Sequence, residues 1–253
     1  MPVKALFNLV GRRQPQLYAV PAGQRVYAVG DIHGRADLLD LLLDRITNDD
    51  AQRGAAETLV VFLGDLVDRG PDSRGVVERL IAFSRGPVPC RFLMGNHEEV
   101  FLGALTGDVR ALKFLLRIGG RATILSYDVS EAEYRDLDFE GLAARIRDKV
   151  PEEHIRFLSA FEEMIEVGDY LFVHAGIRPG VDLESQRASD MRWIREDFLR
   201  HRDSFGKLVV HGHSITADVD IQSNRIGIDT GAYESGRLTA IGLEGTERWF
   251  LST

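Results

Sequence analysis

Cysteine is almost missing from this 253-residue chain, and Cys90 is the only one. No intramolecular disulfide can form and no thiolate metal cluster can be built. The ordinary place for such a residue is a small buried hydrophobic position. Positive charge is also scarce: 31 lysines and arginines stand against 39 aspartates and glutamates, a formal charge of −8. An acidic surface argues against a nucleic-acid backbone as partner, because binding a phosphate polymer needs net positive surface. A small phosphorylated substrate stays open, since it answers to the local field of a site. No apolar run approaches the ~20 residues that span a bilayer, so no membrane partner is expected. MPVKALFNLVGRRQPQLYAV has a short apolar run before Arg12 and Arg13, without the apolar core of a secretory leader. A cytoplasmic protein is expected, with residues 1–24 as an N-terminal arm. Walker A, GxGxxG and HExxH patterns are absent, which leaves nucleotide-cofactor and zincin readings without support.

What is present is a compact hydrophobic budget of 44%, enough for one domain at 25–253 with a sizeable core. Five short apolar runs each end in glycine and a polar residue. They are RVYAVGDIHG (25–34), TLVVFLGDLVDRG (58–70), RFLMGNHE (91–98), YLFVHAG (170–176) and KLVVHGHS (207–214). Their β-branched and aromatic content predicts buried strands. The leucine periodicity of RADLLDLLLDRITNDDAQRG, closed by Gly54, predicts a helix between the first two, and DSRGVVERLIAFSRG predicts another after the second. Asp31, Asp65 and Asn96 follow one another at about 30-residue steps, the length of a β-α-β unit with parallel strands. From about 99 to 168 the pattern turns helical, and PEEHIRFLSAFEEMIEVG opens with proline and two acids, as a helix start does. After residue 205, KLVVHGHS, NRIGIDTGAY, GRLTAIGLEG and ERWFLS predict consecutive strands.

In open α/β sheets ligands bind at the carboxyl ends of the strands, where all five runs carry their polar residues. Asp31 and His33 are two apart and can reach one ion. Asp65 has two oxygens and can bridge two ions, while Asn96, His174 and His213 add neutral donors. A lone aspartate or histidine at a strand end is usually a turn former. Five such coincidences, holding five of the seven histidines, point instead to a built metal site. Mixed imidazole, carboxylate and amide donors suit manganese, iron or zinc better than calcium.

The series GDIHG, GDLVDRG, GNHE, VHAG and HGHS resembles the motifs of the calcineurin-like metallophosphoesterases. The pairing of GDLVDRG with GNHE resembles the phosphoprotein phosphatase branch, and its bacterial serine/threonine phosphatases above all. The resemblance runs from about Arg25 to Gly245 and includes IDTGAYESGRLTA. It implies an α/β fold: a central β-sandwich of mixed sheets flanked by helices, with the helical insertion at about 99–168. It also implies two divalent metal ions, manganese foremost. Asp31, His33 and Asp65 would hold the first, and Asp65, Asn96, His174 and His213 the second. His97 matches the family's general acid, Asp68 the carboxylate that orients it, and Arg69 a phosphate-binding arginine. A second phosphate arginine is expected after VHAG, with Arg195 preferred over Arg178. His211 and His213 alternate onto one side of an extended strand, so either could be the ligand.

The expected reaction is hydrolysis of phosphomonoesters by a hydroxide bridging the two ions. Phosphoserine and phosphothreonine in proteins come first as substrates, and small phosphoesters second. A symmetrical diadenosine tetraphosphate hydrolase is the alternative; the Asp68/His97 pair favours the phosphatase, because an alkoxide leaving group needs an acid. A catalytically dead scaffold would have lost ligands, and none is missing. His154 and His201 are expected on helix surfaces and Trp193 in packing. Asp229 is expected in a turn, and Glu98 at a helix start within reach of a site residue.

Overall fold

The computed structural model describes residues 17–253. The first half alternates strand and helix: β1 (Gln24–Val29), α1 (Ala36–Gln52), β2 (Glu57–Phe62), α2 (Ser73–Ser84) and β3 (Cys90–Phe92). Six helices follow: α3 (Asn96–Leu105), α4 (Val109–Ile118), α5 (Gly120–Ser126), α6 (Glu131–Asp136), α7 (Phe139–Lys149) and α8 (Glu152–Ser159). The chain then forms β4 (Met164–Val167), β5 (Tyr170–Val173), the short helices α9 (Ala188–Trp193) and α10 (Glu196–Leu199), and β6 (Leu208–His211). It closes with β7 (Asp220–Ile221), β8 (Arg225–Gly227), the one-turn α11 (Ala232–Ser235), β9 (Thr239–Glu244) and β10 (Glu247–Ser252).

Two five-stranded mixed sheets result, ordered β10-β9-β1-β2-β3 and β4-β5-β6-β8-β7. Strands β1, β2 and β3 are parallel to one another, as are β5, β6 and β8. Alternation along each strand decides the layering. Val26 and Ala28 of β1 and Tyr170 and Phe172 of β5 face the core between the sheets. Tyr27 and Val29 point the other way, into the core under α1, α2 and the helical segment. Leu171 and Val173 likewise pack outward against Met191, Ile194 and Phe198. The order of layers is therefore helices, sheet, sheet, helices, the α/β architecture expected. Its functional consequence is that the carboxyl ends of six parallel strands open onto one edge of the sandwich.

Local departures from the sequence reading have physical causes. The segment read as one helix from 151 to 168 ends at Ser159, and Met164–Val167 forms β4, antiparallel to β5. Four residues are too few for a periodicity to separate strand from helix. The run after Glu99 is broken at Gly107 (φ +88), where Asp108 caps α4 through the amides of Arg110 and Ala111. NRIGIDTGAY keeps only three residues as strand before α11 turns away. His154, expected on a surface, is buried, and its Nδ1 lies 3.0 Å from the Tyr127 hydroxyl. Of the expected N-terminal arm, residues 1–16 lie outside the described residues. Tyr18 and Val20 are buried, and the Val20 amide donates to the Gly245 carbonyl.

Phe62 closes β2 three residues before Asp65. It is fully buried, stacked on Phe92 at 4.9 Å and edge-on to Phe83 at 6.1 Å. Phe62→Ala should cost about 3–5 kcal/mol in equilibrium urea unfolding, the range for a large aromatic removed from a packed core.

Candidate metal centre

Three of the strand ends, after β1, β2 and β6, deliver their polar residues through turns that ordinary side chains resist. Among the described residues six non-glycines have positive φ, and five belong to this edge: His33 (47°), Asp65 (50°), Asp68 (73°), Arg69 (68°) and His213 (63°). Left-handed backbone costs an L-residue roughly 1 kcal/mol or more, so five together need strong restraint. Two glycines make the approach possible. A Cβ on Gly64 (φ +97) would sit 2.7 Å from the Gly95 amide nitrogen, and one on Gly212 would overlap the Asp31 carboxylate.

The restraint centres on Glu98. Its buried carboxylate accepts the amides of Asp65 (2.8 Å) and Gly95 (3.2 Å) on one oxygen, and of Leu66 (2.7 Å) and Val67 (3.2 Å) on the other. Burial, then Asp65, push its pKa up to about 7, against the pull of His174, His97 and the amides. The Asp65 carbonyl in turn accepts from Ile32 and His33, so the first strand-end loop is fixed to the second. The Asp68 amide donates to the Ser73 and Thr123 hydroxyls.

Two clusters of metal-ligand atoms lie within this frame, each within 4.8 Å: His33, Asp65 and His97, and Asp65, His174 and His213. All are buried, and Asp65 belongs to both. His33 Nε2 is 3.6 Å from Asp65 Oδ2, and His174 Nε2 is 3.4 Å from Asp65 Oδ1. Asn96 Oδ1 lies 3.0 Å from His174 Nε2. Asp31 stands beside the second cluster, with Oδ2 accepting the His213 amide at 3.0 Å.

Several buried atoms await a partner. Asp31 Oδ1 and His213 Nε2 have none. His33 and His174 place Nδ1 against the Val67 and Leu63 carbonyls, at 2.8 and 2.9 Å, which turns each Nε2 toward the site. Burial lowers His33 to about 3 and, aided by His174, lowers His213 to about 2, so both rings keep a lone pair to give. His174 goes the other way. Burial opposes its charge, but Asp65 and then Asp31 outweigh it and raise the pKa to about 10. This donor set fits two divalent ions.

His97 sits at the rim of the first cluster. Its Nδ1 is 2.7 Å from Asp68 Oδ2, and Arg69 Nη2 lies 3.2 Å from its Nε2. Burial disfavours charge on His97, but Asp65 and Asp68 overcome it and raise the pKa. Burial raises the Asp68 pKa as well, against the pull of the imidazole and of the Thr123 hydroxyl, which donates to it at 2.6 Å.

The two histidines of HGHS do not share a side. Strand β6 ends at His211, and the left-handed turn at His213 swings that ring into the second cluster. His211 packs edge-on against Phe198, with Nδ1 against the Gly212 carbonyl. Arg195 is exposed, makes no ion pair among the described residues, and is near enough to help lower the His213 pKa. Arg178 is engaged with Asp190 and Asp197. Asp229 is buried, caps the turn at Gly231, and is lifted by burial to about 6. Trp193 donates to Glu99 and leans on Phe114.

Two openings flank the centre. One, of about 660 Å3, begins at Arg69 and Tyr233; the other, of about 270 Å3, lies between Trp193 and Arg195. Sequence reasoning missed Thr123 and Tyr233. Thr123 lies inside the helical segment with no pattern around it, whereas Tyr233 follows a glycine in IDTGAY and carried a weak signal.

The sequence profile of the calcineurin-like phosphoesterases matches residues 24–239. The chain belongs to this family. This calcineurin-like phosphoesterase is 25% identical over 238 residues to an asymmetrical bis(5′-nucleosyl)-tetraphosphatase, PrpE, of Anoxybacillus flavithermus, covering 84% of this chain and 88% of that one. A symmetrical bis(5′-nucleosyl)-tetraphosphatase of Legionella pneumophila is 38% identical over only 81 residues, 32% of this chain and 26% of that one. Among solved structures, one provisionally named a diadenosine tetraphosphatase superposes with a TM-score of 0.64 at 20% identity, covering 94% of this chain and 98% of that one. A protein serine/threonine phosphatase of Saccharomyces cerevisiae gives 0.53 at 15%, covering 91% and 79%. The chain is a metal-dependent phosphoesterase by family, and no helix of its described residues is long and apolar enough to cross a membrane.

Two outcomes follow from this geometry. Glu98→Ala orphans four buried amides and should cost about 3 kcal/mol or more, with loss of metal content by elemental analysis; wild-type stability with full metal would refute the restraint. Metal taking His174 Nε2 must displace the proton it holds up to about pH 10. Affinity should therefore rise with pH across neutrality, and calorimetry in buffers of differing ionisation heat should register about one proton released from this ring.

Proposed function

We propose that the chain hydrolyses bis(5′-nucleosyl) tetraphosphates, cleaving them unequally into a nucleoside monophosphate and a nucleoside triphosphate. End-to-end similarity to proteins named as asymmetrical tetraphosphatases carries this reading, whereas similarity to a symmetrical enzyme covers about a third of the chain. By the resemblance of the motifs, Asp31, His33 and Asp65 would hold the first ion, and Asp65, Asn96, His174 and His213 the second. The clusters seen join His33 to Asp65 and Asp65 to His174 and His213, and Asp31 lies beside His213. Two divalent ions there, manganese foremost and iron or zinc compatible with the same donors, supply Lewis acidity and an activated water.

The chain's own residues do the rest. Arg69 beside His97, with Arg195 near His213, binds phosphate oxygens and stabilises their charge as it shifts in the transition state. His97 delivers a proton to the leaving oxygen, and Asp68 holds its ring in place. In the structure Arg69 donates to His97 Nε2, which therefore carries a lone pair, with Nδ1–H held by Asp68. Once Arg69 is drawn onto a phosphate, Nε2 is free to take up a proton, which Asp65 and Asp68 favour, and to pass it to the leaving oxygen. One specific observation favours a second reading, hydrolysis of phosphoserine and phosphothreonine. The His97–Asp68 pair is complete, and an alkoxide needs an acid more than a nucleotide phosphate does.

The test is a manganese-supplemented comparison of diadenosine tetraphosphate with phosphoserine, phosphothreonine and phosphotyrosine peptides. The dinucleotide should win in kcat/KM and yield AMP plus ATP; two ADP would refute unequal cleavage, and a preference for peptides would refute the substrate class. His97→Asn should slow phosphoserine peptide hydrolysis by about a hundred-fold and dinucleotide hydrolysis by about ten-fold or less. Equal losses would remove His97 from the acid role.

A further inference from the structure

We infer that the open cleft beside Arg69 and Tyr233 is a nucleoside subsite that takes the ribose and base of one arm of a nucleotide substrate. The inference rests on the dinucleotide reading above and says where one arm goes. The cleft, about 660 Å3, has the size of small-molecule sites, about 300–1,000 Å3. It leads away from the metal centre. Tyr233 stands at the junction, its ring edge-on to His33 at 5.5 Å between centroids and 4.8 Å from the Arg69 guanidinium carbon. A substrate with phosphates on Arg69 must pass this ring to leave on that side.

The ring is presented rigidly. Its turn, α11, runs between left-handed Gly231 and Gly236. The Gly231 amide donates to Asp229, and the Ser235 hydroxyl to the Thr230 carbonyl. Arg35 donates to the Ala232 carbonyl at 2.9 Å, so a side chain of the cleft wall itself holds the turn. A half-buried aromatic fixed in this way loses little entropy when a flat group stacks on it.

Charge decides which flat group. Three arginines and three aspartates line the cleft, and most are spent on one another. Arg35 forks onto Asp37 at 2.8 and 2.6 Å, Arg79 reaches both oxygens of Asp40 at 2.8 Å, and Asp72 caps α2. Among the described residues only Arg69 of the three arginines lacks a carboxylate partner. Anion attraction is therefore confined to the metal end. Beyond it a further phosphate or an acidic peptide finds no free cation, and a basic peptide finds no free acid. A neutral aromatic with hydroxyls is the complement: the base extends the Arg69–Tyr233 stack, and the ribose hydroxyls donate to the paired carboxylates.

The experiment compares manganese-loaded wild type, Tyr233→Ala and Tyr233→Phe on diadenosine tetraphosphate and p-nitrophenyl phosphate, reading the ratio of the two kcat/KM values. Tyr233→Ala can also disturb Arg69, so Arg69→Ala measured on both substrates gives the change of ratio that such damage causes by itself, and the fall in Tyr233→Ala must exceed it. Tyr233→Ala should lower the ratio about ten-fold, chiefly through the dinucleotide KM, and Tyr233→Phe should hold it within about two-fold. An unchanged ratio in Tyr233→Ala overturns the subsite while leaving the tetraphosphatase reading intact. An equal fall for a phosphoserine peptide also overturns it, because the cleft then takes peptide. Should wild type not cleave the dinucleotide, the function reading fails and the subsite is judged by inhibition of p-nitrophenyl phosphate turnover. AMP must then outcompete ribose 5-phosphate in wild type and lose that advantage in Tyr233→Ala; no advantage in wild type overturns it.

Discussion

One buried carboxylate sets the geometry of the metal centre. Glu98 gathers four backbone amides from the ends of two strands, and it stands in the first turn of α3, where the helix field favours a negative group. Without it the loop from Gly64 to Gly70 would have three buried donors and no acceptor, and Gly95 a fourth. With it, that loop can hold Asp65, Asp68 and Arg69 in left-handed backbone. Because the Asp65 carbonyl is bonded to the first loop, the same carboxylate indirectly fixes His33. The conformational cost of the site is thus met by hydrogen bonding next to it rather than by the distant core.

Much of this was legible in the sequence, for a physical reason. Glycine followed by a ligand type at the end of a β-branched run is a sparse pattern, and the order of five such runs named a fold as well as a site. The hidden parts lack such a pattern. Glu98 works through both oxygens on main-chain amides, which leave no trace in residue types. Thr123 reaches Asp68 from α5, 55 positions away, and only tertiary packing joins them. His211 and His213 were inseparable by strand alternation because the backbone leaves the strand between them. Short β4 was absorbed into a helix because its apolar positions also fit a helical face.

The substrate was the least legible property, and the expectation of a protein phosphatase rested on the Asp68–His97 pair. The Asp68–His97 pair reports how a leaving group is protonated, which several phosphoester reactions share. Folds alike in outline to this one include proteins named for dinucleotide and for phosphoprotein hydrolysis. Discrimination must therefore come from what surrounds the centre, such as the walls of the Tyr233 cleft beyond Arg69 and the Trp193–Arg195 opening.

Asp65 sits in both clusters, one oxygen nearer His33 and the other nearer His174. As a shared donor it would link the two ion positions thermodynamically. An ion at one position would draw on the carboxylate that the other also uses, so the affinity of each would depend on whether the other is filled. Substitution at Asp65 would then disturb both positions at once, whereas a change at His33 or His174 would begin at one.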